Sequence, residues 1–103
     1  MQVIEFTPLA LSKIKEYRKN LLIPNEYFLR IGIKQKNAAN KGLIIGFDQK
    51  HDKDKEIEIN GEKIIYHAGQ VFFFAGMIID FEERDQKKGF ILAEKSKIGS
   101  TIK

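Results

Sequence analysis

The chain has 103 residues and a net charge of +4, from 18 Lys and Arg against 14 Asp and Glu, and it contains no cysteine. This length suits one domain with one core, and the 43% hydrophobic content is typical of a globular protein. The missing cysteines exclude disulfides, zinc–thiolate sites, thiol nucleophiles and ordinary iron–sulfur ligation. Because the sequence shows neither an apolar run long enough to span a membrane nor a signal-peptide pattern, we expect a cytoplasmic domain.

The first residues predict a strand followed by a helix. Residues 2–6 are short and alternating, which favours a strand with Ile4 and Phe6 on one face. Thr7 can cap a helix, and Pro8 fits the first helical position because its missing N–H has no intrahelical partner there. We therefore predict a helix from Pro8 to about Asn20. Its apolar face is expected to carry Ala10, Ile14, Tyr17 and Leu21.

Two hairpins are predicted next. Alternation over residues 27–34 indicates a strand whose inward residues are Leu29, Ile31 and Ile33. An apolar run over residues 43–47 then predicts its partner, after a connection of about five residues. The second hairpin centres on Asn60-Gly61, a pair that tolerates the positive φ angles of a type I′ turn. That turn fixes the expected register, in which Ile59 faces Glu62, Glu58 faces Lys63 and Ile57 faces Ile64.

The rest of the chain predicts one short helix, two strands and a polar tail. Residues 70–74 suit a single helical turn, while residues 77–81 and 89–92 read as strands. We expect residues 94–103 to form a flexible tail. The order of elements predicts an α+β fold in a single domain over residues 1–103.

Two residue groups carry side chains that could form a site. The residues His51-Asp52-Lys53-Asp54, with His67, offer metal-ligand atoms, but they lie in separate segments, so we favour a solvated loop and expect no metal site. Residues 72–74 are three consecutive phenylalanines that cannot all face inward on one helical turn; we expect core packing, with at least one ring at a subunit contact.

The charged residues and short motifs exclude some functions. The lysines are scattered among acids, and Arg18, Arg30 and Arg84 are the residues suited to bidentate phosphate contacts, so nucleic-acid binding is not expected. No nucleophile–base pattern and no phosphate-binding glycine loop is present, so we do not expect an enzyme.

Five segments resemble the A-type iron–sulfur carrier (HesB-like) family in order and spacing. They are Ile4-Glu5-Phe6-Thr7-Pro8, Leu29-Arg30-Ile31-Gly32-Ile33-Lys34, Asn60-Gly61-Glu62-Lys63-Ile64-Ile65, Phe74-Ala75-Gly76-Met77-Ile78-Ile79-Asp80-Phe81 and Gly89-Phe90. The resemblance spans nearly the whole chain. It implies a HesB-like fold of two packed, mostly antiparallel β-sheets with one N-terminal helix and a short second helix.

The family's three cysteine ligands are replaced in this sequence. The resemblance puts Ala38 at the first ligand position, and it puts Thr101 and Lys103 at the two positions of the family's Cys-Gly-Cys tail. Alanine has no donor atom, a threonine hydroxyl is too weakly acidic to replace a thiolate, and lysine is protonated at neutral pH. We therefore expect these positions to be inactive, with no cluster and no other cofactor.

Two hypotheses for function follow. The first is a noncatalytic, cysteine-less HesB-like scaffold that binds a protein partner in an accessory or regulatory role and that can form a homo-oligomer. The expected partner belongs to the iron–sulfur maturation machinery. The alternative is a small-anion or ligand-binding module that uses the basic loop around Ala38, where Lys34, Lys36 and Lys41 concentrate positive charge. A third, weak nucleic-acid binding, would use the same lysines.

Overall fold

The computed structural model describes residues 4–37, 40–84 and 87–94, without the side chains of residues 35–37, 40, 41 and 87. In these residues, seven strands and two α-helices follow one another, with a 3-10 turn before the second helix. They are β1 (Glu5–Phe6), α1 (Pro8–Asn20), β2 (Phe28–Asn37), β3 (Asn40–Asp48), β4 (Asp54–Ile59), β5 (Glu62–His67), the 3-10 turn (Ala68–Gln70), α2 (Val71–Phe74), β6 (Met77–Arg84) and β7 (Lys87–Glu94).

The strands form two mixed sheets. One has the order β1-β6-β7 and the other the order β3-β2-β5-β4. Each sheet contains one parallel pair, β1 with β6 and β2 with β5, while the three hairpin pairs are antiparallel. Side chains from both sheets and from α1 share one buried cluster. The predicted α+β class, with two mostly antiparallel sheets and two helices, is confirmed.

Helix α1 begins where the sequence predicted. Thr7 Oγ1 accepts a hydrogen bond from the Ala10 N–H at 3.1 Å and donates to Asp80 Oδ1 at 2.6 Å, so one hydroxyl caps the helix and ties it to β6. Ala10 and Ile14 are buried as expected. The prediction that Leu21 faces inward is wrong, because the helix ends at Asn20 and Leu21 is 62% exposed.

The β2–β3 hairpin extends further than the sequence suggested. Its strands pair from Phe28 opposite Asp48 to Asn37 opposite Asn40, so two residues connect them rather than five. The apolar alternation stops at Ile33, but strand pairing depends on backbone hydrogen bonds and continues through polar residues. Loss of the apolar pattern was therefore a poor marker of the strand end.

The β4–β5 hairpin has the predicted register. Ile59 pairs with Glu62, Glu58 with Lys63 and Ile57 with Ile64. Asn60 and Gly61 have φ angles of 50° and 86°, which is the left-handed backbone that a type I′ turn requires.

The three phenylalanines of α2 occupy three different environments. Phe74 is fully buried and packs edge-on against Tyr66, with ring centroids 5.8 Å apart. Phe73 is partly buried against the core, whereas Phe72 is 86% exposed. One ring therefore supplies the core contact that the sequence predicted, and another is left at the surface.

Within the described residues, no helix is both long enough and apolar enough to cross a membrane.

Candidate functional site

The far end of the β2–β3 hairpin is the first candidate site. Lys34 is exposed and lies opposite Gly42, and Lys41 lies opposite Gln35. Lys36 falls between Gln35 and Asn37, where the register shifts. The backbone thus gathers the three predicted lysines at one end of the hairpin. Ala38, Thr101 and Lys103, the positions of the family ligands, lie outside the described residues.

A glutamine side chain supports this hairpin. Strand β2 pairs with β5 at Leu29 and Arg30, and further along it the Gln70 amide takes over. Gln70 Oε1 accepts from the Ile33 N–H at 3.1 Å, and Gln70 Nε2 donates to the Ile33 carbonyl at 2.9 Å. A side chain at Gly32 would place its Cβ 3.3 Å from Gln70 Oε1, so the glycine permits this close contact. No local pattern in the sequence predicts this contact, because 37 residues separate the partners.

A cluster of ion pairs around Arg30 links strands β2, β3 and β4. Its Nε donates to Asp48 at 2.7 Å, and its two terminal nitrogens donate to both oxygens of Asp54, at 3.0 and 2.5 Å. The Asp54 side chain is 3% exposed and also accepts from the His51 N–H at 2.7 Å. The pKa of Asp54 is lowered to about 2, and the hydrogen bonds from Arg30 are the main cause.

These contacts correct two interpretations of the sequence. Asp54 does not belong to a solvated loop: it begins β4 and is buried because Arg30 neutralises it. Arg30 and Arg18 are also not free for phosphate, since Arg18 pairs with buried Glu62 at 2.6 Å. Each of the two guanidinium groups therefore already has a carboxylate partner within the fold.

The two histidines do not converge. His67 Nδ1 accepts a hydrogen bond from the Gly69 N–H at 3.0 Å and so caps the 3-10 turn. His51 Nε2 lies 3.8 Å from an Asp48 oxygen in an exposed pair. Among the residues that the structure describes, no three His, Cys, Asp or Glu side chains are grouped to hold a metal ion.

A second candidate site is an apolar groove of about 370 Å³ beside the C-terminal half of α1. It lies where α1 meets β3 and β7. Its walls are formed by Ile14, Tyr17, Leu21, Ile23, Leu29, Ile45, Gly46, Phe47 and Phe90. We call this the α1 groove. The sequence did not predict it, since its walls come from four separate segments of the chain.

Aromatic rings and one arginine shape the α1 groove. The Tyr17 and Phe90 rings meet edge-on at 6.1 Å between centroids, and Phe90 also packs against Phe81 at 5.0 Å. Opposite them, the Arg18 guanidinium lies 4.8 Å from the centre of the Phe47 ring. Since Glu62 already neutralises Arg18, the groove offers apolar contact rather than an unpaired charge.

The chain is similar in sequence to a curated iron–sulfur assembly protein. The chain is 29% identical over 92 residues to "Iron-sulfur assembly protein 1" of Schizosaccharomyces pombe. The match covers 88% of this chain but 48% of the relative, so the chain spans about half the length of that relative. No protein-family model matches the chain.

Solved structures share the fold at low sequence identity. The crystal structure of Escherichia coli SufA, which is involved in biosynthesis of iron–sulfur clusters, has a TM-score of 0.69 at 23% identity and covers 88% of this chain and 79% of its own. IscA with a [2Fe-2S] cluster has a TM-score of 0.74 at 16% identity, covering 88% and 84%. A solution structure of an Aquifex aeolicus protein has a TM-score of 0.70 at 21% identity, covering 91% and 99%. The sequence match and the shared fold together confirm the resemblance to the A-type, HesB/IscA-like family, in a chain that contains no cysteine.

Proposed function

We propose that this chain is a noncatalytic, cluster-free scaffold that binds a protein partner in an accessory or regulatory role in iron–sulfur cluster assembly. One observation carries the proposal: the fold of cluster-assembly proteins is present in a chain with no cysteine. The relative named for iron–sulfur assembly supports a role in the same process. The α1 groove offers an apolar surface suited to a protein contact.

The donor atoms of this chain do not suit an iron–sulfur cluster. Clusters are held by thiolates, which are soft, deprotonated donors, and this chain supplies none. The family resemblance puts Ala38, Thr101 and Lys103 at the ligand positions. Alanine supplies no donor atom, threonine a weakly acidic hydroxyl and lysine a protonated amine. The described residues also contain no group of carboxylates and imidazoles that could replace them. We therefore derive no cluster chemistry for this chain.

Anaerobic reconstitution tests the cluster-free state. After incubation with ferrous iron and sulfide, then desalting, we expect the protein to stay colourless, because no thiolate is available to bind iron. Visible absorption and iron and sulfide analysis provide the measurement. A stoichiometric cluster in the unmodified protein would disprove the proposal.

Restoring the ligands provides the positive control. The triple variant Ala38→Cys, Thr101→Cys, Lys103→Cys should acquire visible absorption under the same conditions. A matched variant with Lys15→Cys, Lys63→Cys and Lys88→Cys carries the same number of thiols at exposed positions and should not. If both variants or neither assemble a cluster while circular dichroism shows a native fold, the ligand positions that the family resemblance implies are wrong.

The accessory role is tested by binding to a cluster-loaded A-type protein. We expect calorimetry to detect the complex, and we expect the chain to change the rate of cluster transfer to an apo-ferredoxin. No heat of binding and an unchanged rate would contradict a role in this process while leaving the cluster-free state intact.

The alternative function, anion binding, is favoured by the backbone register that gathers Lys34, Lys36 and Lys41 at one end of the β2–β3 hairpin. If it is correct, inorganic tripolyphosphate should raise the melting temperature at low salt and not at high salt. The effect should vanish when these three lysines become glutamine. It should persist when Lys15, Lys19 and Lys63 become glutamine, a change of equal charge elsewhere. Equal losses in both variants would rule out a specific site.

A further inference from the structure

The turn of the β4–β5 hairpin consists of an asparagine followed by a glycine, a pair that is chemically reactive. Asn60 and Gly61 are both exposed, with φ angles of 50° and 86°. Glycine has no side chain to shield its backbone nitrogen, so this nitrogen can attack the preceding amide carbon. The turn needs the same glycine, because another residue would be strained at a φ of 86°. The hairpin therefore depends on a residue pair that is open to modification.

No contact keeps the two reacting groups apart. Among the described residues, no hydrogen bond involves the Asn60 side-chain amide or the Gly61 N–H. The strand pairing ends at Ile59 opposite Glu62, so its hydrogen bonds do not include the turn residues. A Cβ at Gly61 would meet nothing within 4 Å, which shows that the space around its nitrogen is open. The Asn60 side chain can therefore rotate toward the Gly61 nitrogen.

The space beside the turn also accommodates the reaction and its products. A cavity of about 330 Å³ lies between Asn60 and the N-terminal half of α1. The residues of α1 that line it are Pro8, Leu11, Ser12 and Lys15. No tight packing would therefore have to be broken when the side chain cyclises. The positive charge of Lys15 on the cavity wall favours the carboxylate that replaces the amide.

We propose that Asn60 is a site of spontaneous deamidation in the folded protein, and that one of the two products disrupts the β4–β5 hairpin. The Gly61 nitrogen loses its proton and bonds to Asn60 Cγ. The Cγ–Nδ2 bond then breaks, and ammonia leaves with the proton. Water opens the resulting succinimide ring. Cleavage of the new Cγ–N bond gives aspartate, whereas cleavage of the original backbone C–N bond gives isoaspartate, in which the chain runs through Cγ.

The two products have different effects on the hairpin. Asp-Gly suits a type I′ turn as Asn-Gly does, so the aspartate product should keep the register. Isoaspartate adds one carbon to the backbone of a two-residue turn, so Ile59 and Glu62 can no longer pair as they do now. Glu62 is 5% exposed and pairs with Arg18 at 2.6 Å. A displaced strand would therefore also disturb a buried ion pair, which is costly to break.

Peptide mapping by mass spectrometry, after incubation of the folded protein at mildly alkaline pH, tests the site. We expect Asn60 to lose ammonia and gain water, at a rate that rises with pH because the attacking nitrogen must lose its proton. Asn25 is the internal control: it is exposed too, but it precedes Glu26, whose side chain shields the nitrogen, so it should stay intact.

The same protein in urea provides the reference for the role of the fold. Because no contact restrains the turn, the folded protein should react at a rate within about tenfold of the denatured chain. An Asn60 amide that survives in the folded protein, while the denatured chain loses it, would overturn the proposal.

Two variants test the roles of the paired residues. Gly61→Ala should slow the loss of ammonia by at least about tenfold, because a methyl group shields the attacking nitrogen. Asn60→Gly keeps a pair that suits a type I′ turn and removes the amide, so it should fold and stay unmodified at this position. An unchanged rate in Gly61→Ala would contradict attack by the Gly61 nitrogen.

Thermal unfolding of the separated products tests the effect on the hairpin. The two products carry the same added charge, so a difference between them reports the backbone alone. We expect the isoaspartyl form to melt at least about 5 °C lower than the unmodified protein. The Asn60→Asp variant reproduces the other product without ageing and should melt with the unmodified protein. An isoaspartyl form that also melts with the unmodified protein would refute the disruption of the hairpin.

Discussion

Replacing Arg30 with leucine should lower the free energy of unfolding by about 3–5 kcal/mol, as measured by urea denaturation. The guanidinium binds both oxygens of Asp54, whose side chain is 3% exposed, and it also binds Asp48. Without Arg30, Asp54 would remain as a buried charge whose one remaining described hydrogen bond comes from the His51 N–H. An uncompensated buried charge is costly in a way that an unpaired surface charge is not.

Controls distinguish this effect from a simple loss of charge. Arg84 is 80% exposed and its Nε lies 3.9 Å from a carboxylate oxygen of Glu82, so Arg84→Leu should change stability by less than about 0.5 kcal/mol. Adding Asp54→Asn to Arg30→Leu should recover part of the loss by removing the buried charge. Equal effects of the Arg30 and Arg84 substitutions would show that the cluster does not stabilise the fold.

The same ion pair sets a dependence on pH. The pKa of Asp54 is lowered from 3.8 to about 2 in the folded protein, so its stabilisation is fully present above pH 4 and is lost as the pH falls through 2. The difference corresponds to about 2 kcal/mol. In the Asp54→Asn variant, this contribution to the pH dependence of the unfolding free energy should disappear. If unfolding free energy measured against pH follows the same curve as in the unmodified protein, the prediction is wrong.

Replacing Phe74 with alanine should cost about 3–5 kcal/mol, because it removes a fully buried ring and leaves a cavity. The ring packs edge-on against Tyr66 of β5 and anchors α2 to the shared core. Urea denaturation again provides the measurement, with an unchanged m-value expected if unfolding remains two-state.

The chain supplies its own matched control two residues away. Phe72 lies in the same helix and is 86% exposed, so Phe72→Ala should change stability by less than about 0.5 kcal/mol. Similar losses of unfolding free energy for Phe72→Ala and Phe74→Ala would contradict the arrangement in which Phe74 is buried and Phe72 is exposed.

The sequence predicts structure correctly where the cause of that structure is local. Thr7 and Pro8 fixed the start of α1, since a hydroxyl cap and a missing N–H act within one helical turn. Asn60 and Gly61 fixed the β4–β5 register, because a two-residue turn leaves one way to pair the flanking strands. The absence of cysteine is known from the sequence alone.

The sequence does not predict structure that depends on contacts between distant segments. The Asp54 carboxylate looked like part of a charged surface loop, and only the approach of Arg30, 24 residues earlier, made its burial possible. Likewise, the helical spacing predicted Leu21 as inward, while the end of α1 at Asn20 left it on the wall of an open groove. A pattern of residue types reports polarity but not which distant side chain will neutralise or cover it.

The candidate sites divide in the same way. The sequence by itself determined that no thiolate is available and that lysines cluster near Ala38, because both statements concern residue identity and spacing. Only the tertiary structure decided that Gln70 supports the basic hairpin and that Arg18 and Arg30 form ion pairs with buried carboxylates. It also decided that an apolar groove opens beside the end of α1. These features arise when two sheets and a helix pack, and packing depends on distances between segments that no local pattern records.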